Sequence, residues 1–305
     1  MKTYFIKRLL QIPPVLLIIT FMVFCLVYLA GDPVLMMLPA DATNAEIEQL
    51  RSALGLDQSF IVQFGNYFLN LFQGDFGTSL QYNQPALPIV LERLPATLFL
   101  ASASMIIAIL ISIPLGIVSA IKPNSIIDLF STGLAVLGKA IPNFWLGIML
   151  ILMFAVNFRI FPVSGSGSWA HLVLPAITLG TGMAAEITRL TRSSMVEIIS
   201  QDYIKTARSK GLRNSVILFK HAFKNALVPV ITVTFLQVSS LIGGSLITEM
   251  IFSWPGLGQL LIQAVYEKDL AIIQAAVFVI AVMIIGINLF VDILYKVLDP
   301  RINLD

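Results

Sequence analysis

The strongest constraint on the fold is a series of apolar runs, each about as long as a helix that crosses a lipid bilayer. The six windows are Leu9–Ala30, Ala96–Ile121, Leu129–Asn157, Leu172–Arg192, Asn225–Thr248 and Leu270–Val291. A spanning helix needs roughly 20 apolar residues, and 57% of this chain is hydrophobic whereas only 12% is charged. The sequence therefore predicts an all-α membrane protein with about six transmembrane helices.

Three of these windows carry irregularities. The first follows a basic start, but its run is longer than the roughly 7–15 apolar residues of a signal-peptide core and lacks a small-residue cleavage pattern. We interpret it as an uncleaved spanning helix. Pro142 breaks the third window, which also contains Lys139, and the fourth contains Glu186 and Arg189 near its end.

Lysine and arginine residues set the expected orientation. They cluster before the first window, after the second, between the fourth and fifth, and after the sixth. The opposite side carries only Arg51, Arg93, Arg159 and Lys268. Because cytoplasmic loops carry the excess of positive charge, both termini and the basic segment between windows four and five are predicted to be cytoplasmic.

That basic segment, Gln201–Pro229, has an ordered pattern. Its cations are Lys205, Arg208, Lys210, Arg213, Lys220 and Lys224, against one acid, Asp202. Gly211 follows a lysine, as at a helix C-terminus. Before it, Tyr203, Ile204 and Ala207 share a helical face, and after it Val216, Ile217, Phe219 and Phe223 form a second. The pattern predicts a helix–glycine–helix elbow outside the membrane; a loop that only sets topology is the alternative.

Two further segments lie between the windows on the opposite side. In residues 31–95, Thr43-x-x-Glu46 predicts a capping box, Gly55 a helix end, and Phe60–Phe72 an amphipathic helix. In residues 249–269, Trp254-Pro255-Gly256 predicts a turn that leads into a short apolar helix, which is permitted at membrane depth when protein shields its polar groups.

Residue patterns that carry chemistry are missing from the sequence. It contains no G-x-x-x-x-G-K-[ST] phosphate loop, no metal-ligand cluster and no nucleophile–base arrangement. We therefore expect a non-catalytic chain without a cofactor of its own, without nucleic acid as a partner, and in contact with the lipid bilayer. Energy for uphill transport would have to come from another protein.

Several strings resemble one family over nearly the whole chain. They are GLDQSFIVQF, GDFGTSL, RLPATL, DYIKTARSKGL, KHAFKNALVPV, GGSLITEMIFSWPGLGQLL and NLFVDILYKVLDPRI. They resemble permease subunits of binding-protein-dependent ABC importers, and more narrowly the peptide/nickel (dipeptide, oligopeptide, glutathione) permeases. The general cytoplasmic motif is Glu-Ala-Ala, three residues, Gly, nine residues, Ile-x-Leu-Pro. Only Ala207 and Gly211 match it strictly, and Lys224 replaces a frequent proline.

The resemblance implies a type I ABC importer permease fold in a bacterial or archaeal cytoplasmic (inner) membrane. Implied partners are a second homologous permease, expected to be a different chain so that the pair is a heterodimer, two ATPase subunits that hold ATP and magnesium, and an extracytoplasmic substrate-binding protein. The implied cargo is a di- or oligopeptide, with glutathione or a nickel or metal-chelate complex as the alternative.

The resemblance also implies a division into domains and roles for particular residues. It suggests an N-terminal tip and first helix (1–30), an extracytoplasmic insertion (31–95) and a five-helix core (96–305) that contains the elbow within 196–224 and a re-entrant loop at 249–269. Contact with the ATPase is expected at Asp202, Tyr203, Thr206, Ala207, Lys210, Gly211, Leu212, His221 and Asn225. The extracytoplasmic gate or binding-protein contact is expected at Phe252, Trp254, Pro255, Gly256, Leu257 and Gly258.

The resemblance assigns no role to the ionisable residues of the apolar windows. Such residues usually face protein or water. Lys139 and Glu186 either form an interhelical ion pair or line the translocation pathway, to which Asn143 and Trp145 add polar and aromatic lining. A rival class, a stand-alone secondary transporter or channel, would need an ion-coupling site, and the only acids offered are Glu186, near the end of the fourth window, and Glu249, directly after the fifth. A membrane anchor or scaffold explains the spans and the elbow poorly.

Overall fold

The structure, a computed structural model, describes residues 2–29, 34, 38, 42–53 and 55–298. Within this part of the chain the regular structure is helical, apart from one isolated bridge between Thr78 and Pro85. The prediction of an all-α protein is therefore confirmed.

Most of the described residues lie in helices. They are α1 Lys2–Leu29, α2 Asn44–Ala53, α3 Phe60–Phe72, α4 Ala86–Ile121, α5 Ile126–Ala140, α6 Asn143–Asn157, α7 Trp169–Ile199, α8 Asp202–Ser209, α9 Asn214–Ile251, α10 Leu257–Glu267 and α11 Leu270–Leu298. Five helices (α1, α4, α7, α9 and α11) are long and apolar enough to cross a membrane, and α5 with α6 makes a sixth span if the bent pair counts as one. This agrees with the predicted windows.

The third window is two helices rather than one. The axes of α5 and α6 differ by 106° across the break. Ile141 adopts an extended conformation (φ −79, ψ 124), and Pro142 then starts α6. A proline has no amide hydrogen and its ring forces the preceding residue away from helical geometry, so the predicted break at Pro142 is confirmed.

The contacts divide the chain into two compact units, Met1–Pro95 with Gln259–Gly286 and Ala96–Gly258 with Ile287–Leu304. In the first unit, α1 packs on α3 through aromatic rings. Phe24 lies 5.3 Å from Phe60, 5.4 Å from Phe64 and 5.5 Å from Tyr67, measured between ring centroids. The amphipathic helix predicted at Phe60–Phe72 thus uses its aromatic face to cover α1.

Local signals in the first unit form the structures that they predict. The Thr43 amide donates to Glu46 Oε2 (2.8 Å) and the Glu46 amide donates to Thr43 Oγ1 (3.4 Å), so the capping box is present. The Thr43 N–H lowers the pKa of Glu46 because it binds the charged carboxylate. Gly55 closes α2 at φ +68, a left-handed conformation that glycine adopts without strain.

A buried carboxylate starts α11 in the same unit. Asp269 is 1% exposed. It accepts the Ile272 amide (3.2 Å), which satisfies a free N–H at the beginning of the helix. It also accepts the Ser79 hydroxyl and the Gln81 amide, the latter at 3.4 Å. Asp269 therefore ties the start of α11 to the loop that precedes α4.

In the second unit, α4 and α7 approach each other closely through small residues. On α4, Ser104, Ala108, Ser112 and Gly116 recur every fourth position and are buried. A β-carbon on Gly180 of α7 would lie 2.7 Å from the Ser104 carbonyl oxygen, and one on Gly116 would lie 2.5 Å from the Thr191 β-carbon. Small residues at this spacing let helix backbones approach in membranes.

Candidate translocation cleft and coupling elbow

Lys139 and Glu186 form an ion pair between α5 and α7. Lys139 Nζ lies 2.7 Å from Glu186 Oε2, and their side chains are 58% and 28% exposed. Lys139 stands in the last turn of α5, just before the break at Pro142, so the bend ends the helix beside a charged side chain. The structure thus joins the two ionisable residues that the sequence left as either a pair or pathway lining.

The same pair borders two clefts on this unit, and its place along a translocation pathway stays a prediction. The first cleft, about 270 Å³, is lined by Lys139, Glu186 and the polar side chains of Asn143, Gln237 and Ser240. The second, about 290 Å³, is also lined by Lys139 and Glu186, together with other polar and charged residues. These include Thr132, Arg189 and Arg192. Trp145 lines neither cleft and is 46% exposed.

A second ion pair, between Asp128 and Arg192, was not predicted. Arg192 Nε and Nη2 donate to the two oxygens of Asp128 at 2.5 and 2.7 Å, and the Asp128 side chain is 5% exposed. Ser119 Oγ (2.5 Å) and the Asn124 amide (2.8 Å) also donate to this carboxylate. Asp128 therefore joins α4, α5 and α7. The sequence signal was Ser125-x-x-Asp128, a helix-start pattern beside the third window.

The elbow begins with α8, which ends in the hydrogen-bond pattern of a Schellman motif. The Gly211 amide donates to the Arg208 carbonyl (2.9 Å) and the Leu212 amide to the Ala207 carbonyl (3.3 Å). Gly211 has φ +73, which makes glycine the unstrained choice there. Lys210 is the C-cap residue. The predicted helix end at Gly211 is confirmed.

The inner face of α8 packs against the rest of its own chain. Ile204 is fully buried and Ala207 is 8% exposed, in one apolar cluster with Met195, Ile217 and Ala222. The side chain of Ala207 is therefore largely covered by its own chain, and its predicted contact with the ATPase stays a prediction. Its small size allows α8 to lie close to α7 and α9.

The two arms of the elbow are joined by hydrogen bonds. Asn225 Nδ2 donates to Tyr203 Oη (2.8 Å) and to the His221 carbonyl (3.0 Å), and Tyr203 Oη donates to that carbonyl at 3.3 Å. Three of the predicted coupling residues therefore come together. Asp202 pairs with Lys205 at 2.8 Å, and Thr206 Oγ1 donates to the Asp202 carbonyl at 3.0 Å.

The second arm of the elbow, which begins at Asn214, does not present the amphipathic face that the sequence predicts. Residues Ile217–Phe223 form a π-helix, which ends at Lys224. Only Ile217 of the predicted apolar face is fully buried, whereas Val216 is 36% and Phe219 60% exposed. A π-helix has wider turns than an α-helix, so a face assigned at α-helical spacing is misplaced. Leu212, 41% exposed, adds to the outer apolar surface of the elbow.

A buried carboxylate organises the loop between α9 and α10. Glu249 is 0% exposed. It accepts Thr97 Oγ1 (2.8 Å) and the Gly258 amide (2.7 Å), and Thr97 Oγ1 in turn accepts the Leu257 amide (2.8 Å). A β-carbon on Gly256 or Gly258 would collide with the Glu249 carboxylate. Neither Thr97 nor this role of Glu249 was predicted.

The residues predicted as an extracytoplasmic gate belong to this loop, and most of them are buried. Phe252, Trp254 and Leu257 are 2%, 5% and 1% exposed. Trp254 Nε1 donates to the Ala96 carbonyl at 2.9 Å, and the Phe252 carbonyl accepts the Gly165 amide at 2.8 Å. Pro255 is half-buried. These side chains hold the loop in place, and their contact with a binding protein stays a prediction.

Helices long and apolar enough to cross a membrane, clefts with charged linings and a structured basic elbow are features typical of membrane transport proteins. Residues 1–101 and 112–304 match the N-terminal and main parts of one family, described as the binding-protein-dependent transport system inner membrane component. The chain belongs to this family of ABC importer permeases, as its sequence resemblance indicated.

Among the similar proteins are two that match this chain almost end to end. The chain is 42% identical over 315 residues to the oligopeptide transport system permease protein AppB of Bacillus subtilis (strain 168), with 99% of this chain and 100% of that protein covered. It is 41% identical over 304 residues to the glutathione transport system permease protein GsiC of Escherichia coli (strain K12), with 99% of each chain covered. These matches support the narrower resemblance to peptide and glutathione permeases.

Solved structures agree with the fold. An inward-facing structure of the MetNI methionine ABC transporter has a TM-score of 0.58 at 19% identity over 69% of this chain and 96% of that one. An amino acid ABC transporter with histidines gives 0.55 at 15% identity over 68% and 94%. At these identities the similarity shows the fold alone, which is that of ABC importer permeases.

Proposed function

We propose that this protein is a permease subunit of an ATP-driven importer and that it forms part of the pathway for di- or oligopeptides. The observation that carries the proposal is the 42% identity, over nearly the whole length of both chains, to an oligopeptide permease. The polar clefts beside Lys139 and Glu186 support it, because ionisable side chains within membrane spans usually face a substrate path or the protein interior.

The proposed assembly follows from the family. A second, homologous but different permease chain completes the pathway, and an extracytoplasmic binding protein delivers the cargo. Two ATPase subunits on the cytoplasmic face hold ATP and magnesium, so this chain is a non-catalytic subunit without a cofactor of its own. The assembly lies in the inner membrane of a bacterium or archaeon, with the termini and the elbow of this chain in the cytoplasm.

The elbow is the proposed contact with the ATPase. Its outer side exposes Tyr203, Leu212, Val216 and Phe219, at 39%, 41%, 36% and 60%. Its inner side is bound to α7 and α9 by the Ile204–Ala207 cluster and by the Tyr203–Asn225 hydrogen bond. Movement of a docked ATPase would therefore be passed directly to two spanning helices. In this arrangement Ala207 acts by fixing α8 to its own chain.

Glutathione is the second candidate cargo. Identity to the glutathione permease GsiC of Pectobacterium atrosepticum is 42% over 304 residues, equal to the identity with the oligopeptide permease. Glutathione is itself a tripeptide, so the same pathway chemistry applies. Uptake of each compound by the purified complex distinguishes the two.

A substitution at Gly211 tests the coupling. A β-carbon at this position meets no atom of the chain within 4 Å, so Gly211→Asp should fold and assemble, with only modest strain from φ +73. A side chain on this exposed turn should, however, obstruct a docked ATPase. The complex is reconstituted in proteoliposomes with its binding protein, and ATP-dependent uptake of a labelled tripeptide is measured.

Gly55→Asp is the matched control, because Gly55 closes α2 with nearly the same backbone angle, φ +68, far along the chain from the elbow. We expect Gly211→Asp to lose most uptake at a normal yield of complex, and Gly55→Asp to retain it. Normal uptake by Gly211→Asp would reject the elbow as the coupling element. Uptake that an ion gradient drives without ATP would reject the importer itself.

A further inference from the structure

Arg189 differs from the charged residues beside it on α7. It is exposed, and within the described part of the chain it makes no direct hydrogen bond or ion pair, although its charge acts through space on Glu186. Glu186, three residues before it, binds Lys139, and Arg192, three residues after it, binds Asp128. Residues three apart are neighbours on a helix surface, and Glu186, Arg189 and Arg192 all line the second cleft.

The charges of the second cleft are therefore unbalanced. Lys139 is neutralised by Glu186, and Arg192 by the buried Asp128. Arg189 lines the same cleft and leaves it with one positive charge in excess. A cation within an apolar span is costly unless an anion or water accompanies it. The cleft is thus suited to a group that carries one negative charge.

The Lys139–Glu186 pair borders both this cleft and the first one. Lys139 is 58% exposed, and exposed ion pairs are weak because water competes for both charges. A zwitterionic cargo can replace the pair without a net change of charge, since its carboxylate binds Lys139 while its ammonium group binds Glu186. Asn143, Gln237 and Ser240 supply hydrogen-bonding groups on the side of the first cleft.

From this arrangement we propose that Lys139 and Arg189 form consecutive binding positions for the free carboxylate of the cargo, with Glu186 as the position for its amine. The inference rests on the proposed function and adds a substrate class to it: molecules with a free carboxylate, as opposed to their amides or esters. Arg189 is then a specificity-determining residue of the pathway.

Charged thiol reagents test the excess charge directly. Cys25, the chain's one cysteine, is replaced by serine, and Val136→Cys places a thiol on the second cleft, where Val136 is 61% exposed. In the detergent-purified complex, the rate of modification by a sulfonate methanethiosulfonate is divided by the rate for its trimethylammonium counterpart. The ratio is normalised to that of a free small thiol.

We expect an anion preference that Arg189→Gln reduces by roughly tenfold at low salt, because one positive charge on the same cleft acts with opposite sign on the two reagents. High salt should remove most of the preference by screening. Lys220→Gln, which removes a cation of the elbow outside both clefts, is the control and should leave the ratio unchanged. An unchanged ratio in Arg189→Gln would overturn the proposal.

The cargo itself provides the second readout. A tripeptide with a free carboxylate should slow modification of Val136→Cys, its C-terminal amide should not, and in Arg189→Gln the difference between them should shrink. Equal protection by acid and amide would overturn the proposal. Arg189 could instead pair with a carboxylate of the second permease chain. In that case Arg189→Gln will lower the recovery of the two chains together and leave the ratio of the two modification rates unaltered. That result would also overturn the proposal. These measurements need neither ATP nor uptake, so their failure is separate from failure of the proposed function.

Discussion

The pair between Asp128 and Arg192 gives a quantitative prediction for stability. Asp128 is 5% exposed at its side chain, and Arg192 supplies two of its hydrogen bonds, at 2.5 and 2.7 Å. In Arg192→Gln the carboxylate stays buried without its counter-charge. Loss of one partner from a buried pair costs about 3–5 kcal/mol. Because the Arg192 side chain is 30% exposed and admits water, we expect the lower end, about 3 kcal/mol.

The partner substitution should cost less. Asp128→Asn keeps an acceptor for the Ser119 hydroxyl and leaves Arg192 as a partly hydrated cation, so we expect a loss of about 2 kcal/mol. In the double variant, which combines Asp128→Asn with Arg192→Gln, no buried charge remains unpaired. Its total loss should be about 3 kcal/mol, which is well below the loss expected if the two effects were independent.

Unfolding free energies are measured in mixed micelles of mild detergent and increasing SDS, followed by near-ultraviolet circular dichroism. Lys205→Gln is the control, since the Asp202–Lys205 pair is exposed on both sides (94% and 68%) and such pairs add little. Additive single effects, or a loss below about 1 kcal/mol for Arg192→Gln, would show that the bidentate contact does not form in the membrane protein.

Two further predictions concern close packing in the second unit. Gly116→Ala should destabilise the protein by about 1–3 kcal/mol, because its methyl group would collide with Thr191. Gly133→Ala, on an open helix surface, is the control and should stabilise the protein by up to about 1 kcal/mol. The same micelle titration measures both variants, and equal effects would contradict the close contact between α4 and α7. Glu249→Ala should lower the free energy of unfolding by about 3 kcal/mol, because it leaves the Gly258 amide without its acceptor and opens a cavity. The yield of monodisperse protein on size-exclusion chromatography should therefore fall. A normal yield would show that the loop does not depend on this carboxylate.

Local features of this fold were predictable because their causes lie within a few residues. Pro142 breaks a helix by its own covalent structure, and Thr43 caps α2 by bonds to a residue three positions away. Gly211 ends α8 through hydrogen bonds within one turn. The spans followed from length and apolar composition. For these elements the physical causes can be read from the local sequence.

The candidate site was predicted only in part, because its contacts join distant positions. Lys139 and Glu186 can be picked out from the sequence because they are charged residues in apolar windows. They are 47 positions apart, however, so their pairing can be known only from the fold. Thr97 and Glu249 are 152 positions apart, and a threonine in an apolar helix carries no signal of its own. The inward direction of Ala207 and the exposure of Phe219 depend on tertiary packing and on the π-helix, which α-helical spacing does not represent.

The close contact between α4 and α7 restricts how the second unit can change shape. Gly180 and Gly116 lie against backbone carbonyls of the facing helix, those of Ser104 and Thr188. Sliding one helix along the other would force larger neighbours into these places, and packed interiors resist such shear. The two helices are therefore expected to move as one rigid body, so that a transport motion of this unit changes the angles between this pair and the other helices rather than the contact within it.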